Sequence, residues 1–286
     1  MAEIIEPEPR WDAALRLLGG VHYLVLTGRA SWDRIGDALV DERDFLRGFV
    51  AEQRVQTNEI QRCWALLPCV LDASRRLGSS TLDLVELGTS AGLLLALPRL
   101  RYRYQAGSWG PAEAPLELSG EERGEVPASL LREVPRVRGR VGIDLYPVDV
   151  TTDEGSLLLQ SFVWADRVDR LERLRRAIDV HRQDPPEIVQ GDLVELLPER
   201  LWRRPADGLT VVLQVAAGGY LSDEGWERLG AVLDEAGRQG PLAYVFAGLP
   251  EPRSDLYWGL WLTLWPGGER GQIALADFHG AWLDWP

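Results

Sequence analysis

The spacing of apolar residues changes character near residue 80. Before it, Trp11, Ala14, Leu15 and Leu18 lead into Tyr23, Leu24, Val25 and Leu26, a helical stripe that breaks at Gly28. Phe45, Leu46, Phe49, Val55, Ile60, Trp64 and Leu67 continue at the same spacing, predicting helix from 41 to 71. Proline lacks a main-chain N–H, so Pro68 is expected to kink or restart that helix.

After residue 80 the texture becomes short apolar runs alternating with helical segments, the signature of βαβ units and a parallel sheet. Strands are predicted at 82–87, 140–144, 187–190, 209–214 and 242–247. Helices are predicted at 91–97, 154–164, 167–180, 193–202 and 223–237. The tail, 256–265 and 272–278 around Pro266-Gly267-Gly268, reads as an antiparallel hairpin. Five parallel strands closed by such a hairpin make an α/β fold, a seven-stranded Rossmann sheet laid out like that of class I methyltransferases. An N-terminal helical cap is expected over 1–80 and the α/β domain over 81–286. The stretch 101–140, with Tyr102, Tyr104, Trp109-Gly110-Pro111, Pro127 and Pro135, is expected to be a hairpin-like insertion followed by loop.

The first strand ends in Glu86-Leu87-Gly88-Thr89-Ser90-Ala91-Gly92, a turn that answers to two motifs. Glu86-x-Gly88-x-x-x-Gly92 suits the turn that holds S-adenosylmethionine, where glycine lets the main chain approach the cofactor closely. Gly88-x-Ser90-x-Gly92 suits the nucleophile elbow of α/β-hydrolases, with His279 as a late histidine. A cofactor site needs a carboxylate after the second strand for the ribose and a polar group after the third for the adenine. Asp144 in Gly142-Ile143-Asp144 and Asp192 in Gln190-Gly191-Asp192 stand at those places, each with a competing use as a helix cap or turn residue. The hydrolase alternative is opposed by Glu86, which sets negative charge near the oxyanion, and by the lack of a His-Gly-Gly segment ahead of the turn. Ser90 and Leu93 replace two glycines of the nicotinamide fingerprint.

Composition narrows the classes further. The net charge of −13 and pI near 4.8 provide no generic basic footprint for nucleic acid or anionic lipid. No apolar run nears the roughly 20 residues of a membrane span. The start shows no signal peptide, and two cysteines are too few for a secreted scaffold, so the cytoplasm is the expected location. All 31 basic residues are arginine, which removes a Walker A loop and a pyridoxal Schiff base. The three histidines, His22, His181 and His279, are far apart in sequence, so no metal is expected.

A second constellation, Arg54-Val55-Gln56-Thr57-Asn58-Glu59-Ile60-Gln61-Arg62, precedes the sheet. Placed on a helix, it turns Val55, Ile60 and Trp64 inward and leaves Gln56, Asn58, Glu59 and Arg62 as a solvated face or as a polar lid. Together with Arg62-Cys63-x-Ala65-Leu66-Leu67-Pro68, Glu86-Leu87-Gly88-x-Ser90-Ala91-Gly92, Arg101-Tyr102-Arg103-Tyr104, Gly142-Ile143-Asp144, Gly191-Asp192 and Tyr220-Leu221, it resembles the bacterial DUF2332 family over nearly the whole chain. The resemblance implies a methyltransferase-like fold and raises Gln56, Thr57, Asn58, Glu59 and Arg62 to site candidates. It also marks a departure: Gln214-Val215 stands where members tend to carry His-Ser.

These readings converge on an S-adenosylmethionine-dependent methyltransferase acting on a small molecule. Glu86, Gly88, Ser90, Gly92, Asp144 and Asp192 are expected to hold the cofactor. Asn58, Glu59 and Tyr220 are the catalytic candidates, with Arg54, Gln56, Thr57, Arg62 and Gln214 toward the substrate. The alternatives are a non-catalytic nucleotide- or partner-binding descendant of the fold and a serine hydrolase using Ser90.

Overall fold

The computed structural model describes residues 2–5, 12–56 and 58–286. The chain divides into two compact units, one of Met1–Asn58 with Val148–Arg182 and one of Glu59–Pro147 with Gln183–Pro286. This division differs from the expected boundary at 80: the helix at 62–76 lies in the second unit, and two later helices, at 153–161 and 168–182, lie in the first.

The first unit is helical. It contains α1 (Ala2–Ile5), α2 (Ala13–Leu26), α3 (Ile35–Asp41) and α4 (Arg43–Glu52), with α6 (Asp153–Ser161) and α7 (Val168–Gln183, to Arg182) from the later segment. Trp11 of the expected stripe lies outside the described residues. The face of α2 that packs carries Ala13, Leu17, Val21 and Leu24, and Leu18 is exposed. Gly19 and Gly20 let neighbours come close: a Cβ there would lie 2.9 Å from the Phe162 ring and 3.0 Å from Leu46. Buried His22 holds the end of α6 through Nδ1, 3.0 Å from the carbonyl of Val163.

The second unit is α/β with a mostly parallel central sheet. Its main strands are β1 (Thr81–Leu87), β6 (Arg136–Asp144), β7 (Glu187–Gln190), β8 (Leu209–Val215), β9 (Leu242–Gly248), β10 (Trp258–Trp265), β11 (Glu269–Ala276) and β12 (Trp282–Asp284). The insertion adds β2 (Arg101–Tyr104), β3 (Gly107–Trp109), β4 (Glu117–Ser119) and β5 (Glu121–Gly124). The sheet has nine strands, not seven, in the order β5-β12-β11-β10-β9-β8-β1-β6-β7. The two extra strands have one cause: the tail goes on past its hairpin into β12, which pairs in parallel with β5 of the insertion. The five strands from β9 to β7 are all parallel, and β10 follows β9 antiparallel with no helix between them.

Helices α8 (Leu193–Trp202) and α9 (Asp223–Gln239) bury Leu197, Leu201, Leu229 and Leu233 with Val85, Leu87, Ile143 and Val212 of the sheet. Helix α5 (Arg62–Arg76) packs near β8, β9 and β10, and every residue from Arg62 to Ser74 is buried. The predicted long helix is therefore two, α4 and α5, with irregular chain between, because polar 53–59 offers no apolar stripe to bury. Pro68 lies inside α5 and does not restart it. A proline there has no N–H for the carbonyl of Trp64 four residues earlier. The Tyr104 hydroxyl supplies that donor at 2.5 Å, and its ring stacks on the Trp64 indole at 5.3 Å. The expected hairpin is β2 with β3, and the chain after it, expected as loop, adds β4 to form the sheet β3-β2-β4 and sends β5 to the main sheet, a folded platform beside α5.

Candidate functional site

The chain turns at two places on the carboxyl edge of the sheet. From β1 it crosses to β6 and β7 on one side, then returns to β8 and β9 on the other, so β1 and β8 flank the switch point of the sheet. Ligands of open parallel sheets bind in the crevice at that point. The Glu86–Gly92 turn leaves β1 there.

Three residues of this turn have left-handed backbone: Gly88 at φ 71°, Ser90 at φ 53° and Gly92 at φ 73°. A Cβ on Gly88 would come 2.3 Å from Cβ of Ala217, beyond the end of β8, so glycine lets the two strand ends close up. Ser90 adopts the conformation glycine takes without cost, and Asp144 helps to hold it: the Ser90 N–H donates to Oδ2 at 2.7 Å. Oδ1 of Asp144 accepts the Tyr146 N–H at 2.8 Å. The expected helix at 91–97 is a 3₁₀ run, Leu93–Arg99, containing Pro98.

Glu86 is buried, with its Oε2 accepting the Thr89 hydroxyl at 2.6 Å. Burial pushes its pKa up to about 8; the Thr89 bond opposes the shift, the Asp144 charge adds to it and Arg62 opposes it. Thr89 was not among the sequence candidates, although a hydroxyl three residues after a carboxylate was a readable signal. It also fixes Gly142, where a Cβ would lie 2.5 Å from the Thr89 methyl.

Arg62 opens α5 and is buried. Its Nε donates to the carbonyl of Phe278 at 2.9 Å, and its guanidinium lies 4.9 Å from the Trp258 ring centre. Glu59 is buried as well and accepts the Gln61 N–H at 3.2 Å. The helical placement of 54–59 does not hold: 54–56 and 58–59 are irregular, and only Ile60 and Trp64 of the three expected inward residues are buried. Arg54, Gln56 and Asn58 belong to the first unit, with the Arg54 Nη1 3.2 Å from the carbonyls of Ala51 and Gln53. Thr57 and the Tyr220 side chain lie outside the described residues.

Asp192 caps α8, with Oδ1 accepting from the N–H of Val194 at 2.8 Å and of Glu195 at 3.2 Å. Its Oδ2 takes no part in the cap. Gln214, fully buried near the end of β8, accepts the Tyr244 hydroxyl through Oε1. Its Nε2 has no hydrogen-bond partner among the described residues. A buried amide donor left open is costly in a folded protein, so this one asks for an acceptor. Among the described residues no group of three or more His, Cys, Asp or Glu could hold a metal ion. No described helix is long and apolar enough to cross a membrane.

The fold is α/β with a mostly parallel sheet, whose carboxyl edge carries the Glu86–Gly92 turn, Asp144 and Asp192. The family described as an uncharacterized protein conserved in bacteria (DUF2332) matches residues 6–285, and the chain belongs to this family. No curated protein matches the sequence. Among solved structures, one that the comparison matches is an S-adenosylmethionine-dependent methyltransferase from Clostridium acetobutylicum ATCC 824. That structure is 9% identical, with a TM-score of 0.32, and the match covers 82% of this chain and 71% of that one.

Proposed function

We propose that this chain binds S-adenosylmethionine and methylates a small molecule. The observation that carries the reading is the junction of Gly88, Ser90 and Asp144 at the switch point between β1 and β8. When bound, the cofactor supplies an electrophilic methyl group on a sulfonium.

The donor set fits such a group. A carboxylate has about four lone-pair positions. Asp144 spends two on the Ser90 and Tyr146 N–H groups, leaving capacity for two ribose hydroxyls. Asp192 retains Oδ2 for the adenine side. The turn from Gly88 to Gly92 brings main chain, with little side-chain bulk, to the cofactor's amino-acid part. Glu86 stiffens it through Thr89 from below.

Glu59 and Arg62, both buried in the second unit, would bind and orient the methyl acceptor. The transfer depends on in-line alignment more than on strong acid–base help, so positioning groups suffice. The acidic chain favours a small-molecule acceptor over nucleic acid or membrane. Calorimetric titration with S-adenosylmethionine and S-adenosylhomocysteine tests the reading. Saturable binding of both supports it, and no heat from either on folded protein ends it.

A further inference from the structure

The topology brings one more chemical group to the same edge of the sheet. Strand β10 runs antiparallel to β9, with Gly259 opposite Gly248. Strand β11 returns so that its last residue, Ala276, lies opposite Trp258. The turn after β11 therefore emerges at the carboxyl end of the parallel strands, where β1, β6 and β8 also end. That turn is Asp277-Phe278-His279-Gly280.

Its placement is fixed on both sides of the histidine. The Phe278 carbonyl accepts from Arg62 Nε at 2.9 Å, and the Gly280 carbonyl accepts from Gln61 Nε2 at 3.2 Å. Asp277 Oδ1 accepts the His279 N–H at 2.8 Å and the Ala281 N–H at 3.1 Å, which closes the turn. Gly280 has φ 77°, and a Cβ on it would lie 2.5 Å from the Gln61 carbonyl oxygen, so the turn is seated directly on the entry to α5. Arg62 in turn acts on the charge of Glu86 under the Ser90 turn. His279 is half-buried, whereas His22 and His181 are buried in the first unit.

We infer that His279 belongs to the ligand site of the second unit and takes the proton that a hydroxyl or amine methyl acceptor loses. The inference rests on the proposed methyl transfer and names its acceptor class. The acceptor's O–H or N–H bond breaks with its proton passing to an imidazole nitrogen. The electron pair stays on the acceptor and forms the bond to carbon, while the pair of the severed carbon–sulfur bond remains on sulfur. An imidazole is suited to this task because its ordinary pKa lies near neutrality. The ionisable groups of the elements packed on this turn are Asp277 within it, Arg62 at the start of α5, Glu59 three residues before Arg62, and Glu86, on whose charge Arg62 acts. Ionised carboxylates favour the imidazolium that forms and the Arg62 charge opposes it, while Glu86 keeps its proton up to about pH 8 and adds no negative charge below that.

The test is proton NMR of the imidazole C–H resonances of the whole chain across pH, without and with S-adenosylhomocysteine. His279→Gln assigns the resonance, and His22 and His181 serve as references. The expected result is that the ligand shifts the His279 resonance and its titration midpoint. His279→Gln should bind S-adenosylhomocysteine within about tenfold of the wild type, because the imidazole serves the acceptor. If wild-type protein binds S-adenosylhomocysteine and both the resonance and the midpoint stay fixed, the role of His279 is overturned and the methyltransferase reading stands. If folded wild-type protein binds neither form of the cofactor, that reading fails and takes this inference with it.

Discussion

The main-chain N–H of Ser90 donates to Oδ2 of Asp144 at 2.7 Å, tying the turn after β1 to the end of β6. A hydrogen bond to a charged group contributes about 1.5–3 kcal/mol, and the second oxygen of Asp144 holds Tyr146 besides. Asp144→Ala should lower the unfolding free energy by about 2 kcal/mol, read from urea denaturation. Asp144→Asn keeps one acceptor oxygen and should lose less. Equal stability of wild type and Asp144→Ala would remove the carboxylate from the account of the turn.

Glu86 gives the protein a pH dependence of defined sign. The folded chain holds this proton up to about pH 8, whereas the exposed carboxyl releases it near 4.5. Between those values the folded state binds the extra proton, so the contribution of Glu86 to stability falls as pH rises. The slope is at most about 1.4 kcal/mol per pH unit. Glu86→Gln stays neutral and should flatten that slope. Relative to wild type it should gain stability between about pH 5 and about pH 8. Parallel stability profiles for the two proteins would contradict the buried, protonated state.

Ser90 separates the cofactor turn from the nucleophile elbow. At φ 53° a glycine fits without a Cβ penalty, so Ser90→Gly should change stability by no more than about 1 kcal/mol. Ser90→Val, β-branched at positive φ, should cost on the order of 2 kcal/mol. A fluorophosphonate probe should leave the wild type unlabelled. Covalent labelling that maps to Ser90 would turn the reading to the hydrolase.

Tyr104 and Pro68 form a compensating pair. The hydroxyl of Tyr104 satisfies the Trp64 carbonyl that Pro68 leaves open, so Tyr104→Phe should cost about 1–3 kcal/mol. Pro68→Ala restores a main-chain donor four residues after Trp64 and should shrink the cost of Tyr104→Phe. A double-mutant cycle by denaturation checks this coupling. Strictly additive costs would mean that the two donors do not share the Trp64 carbonyl.

The parallel half of the sheet was readable because its strands are short apolar runs separated by amphipathic helices. Strands 187–190 and helix 193–202 match residue for residue. Asp144 was readable for a similar reason, as an acid closing an apolar strand. The limits of α4 and α5 were obscured because Val55 and Ile60 continue the helical spacing through polar chain that forms no helix. Strands β5 and β12 are three or four residues long and pair with each other across about 160 residues of sequence, so no local pattern announces their pairing. The seating of His279 depends on hydrogen bonds between separate elements, which periodicity does not record.

The central claim is that the Gly88–Gly92 turn and Asp144 form a cofactor site. Isothermal titration of S-adenosylhomocysteine into the wild type and into Asp144→Asn, with both shown folded by circular dichroism, tests it most directly. The account predicts saturable one-to-one binding by the wild type and a loss of about tenfold or more in Asp144→Asn, where a charged acceptor of hydroxyl bonds is gone. Absence of heat with folded wild type, or unchanged affinity in Asp144→Asn, would contradict it.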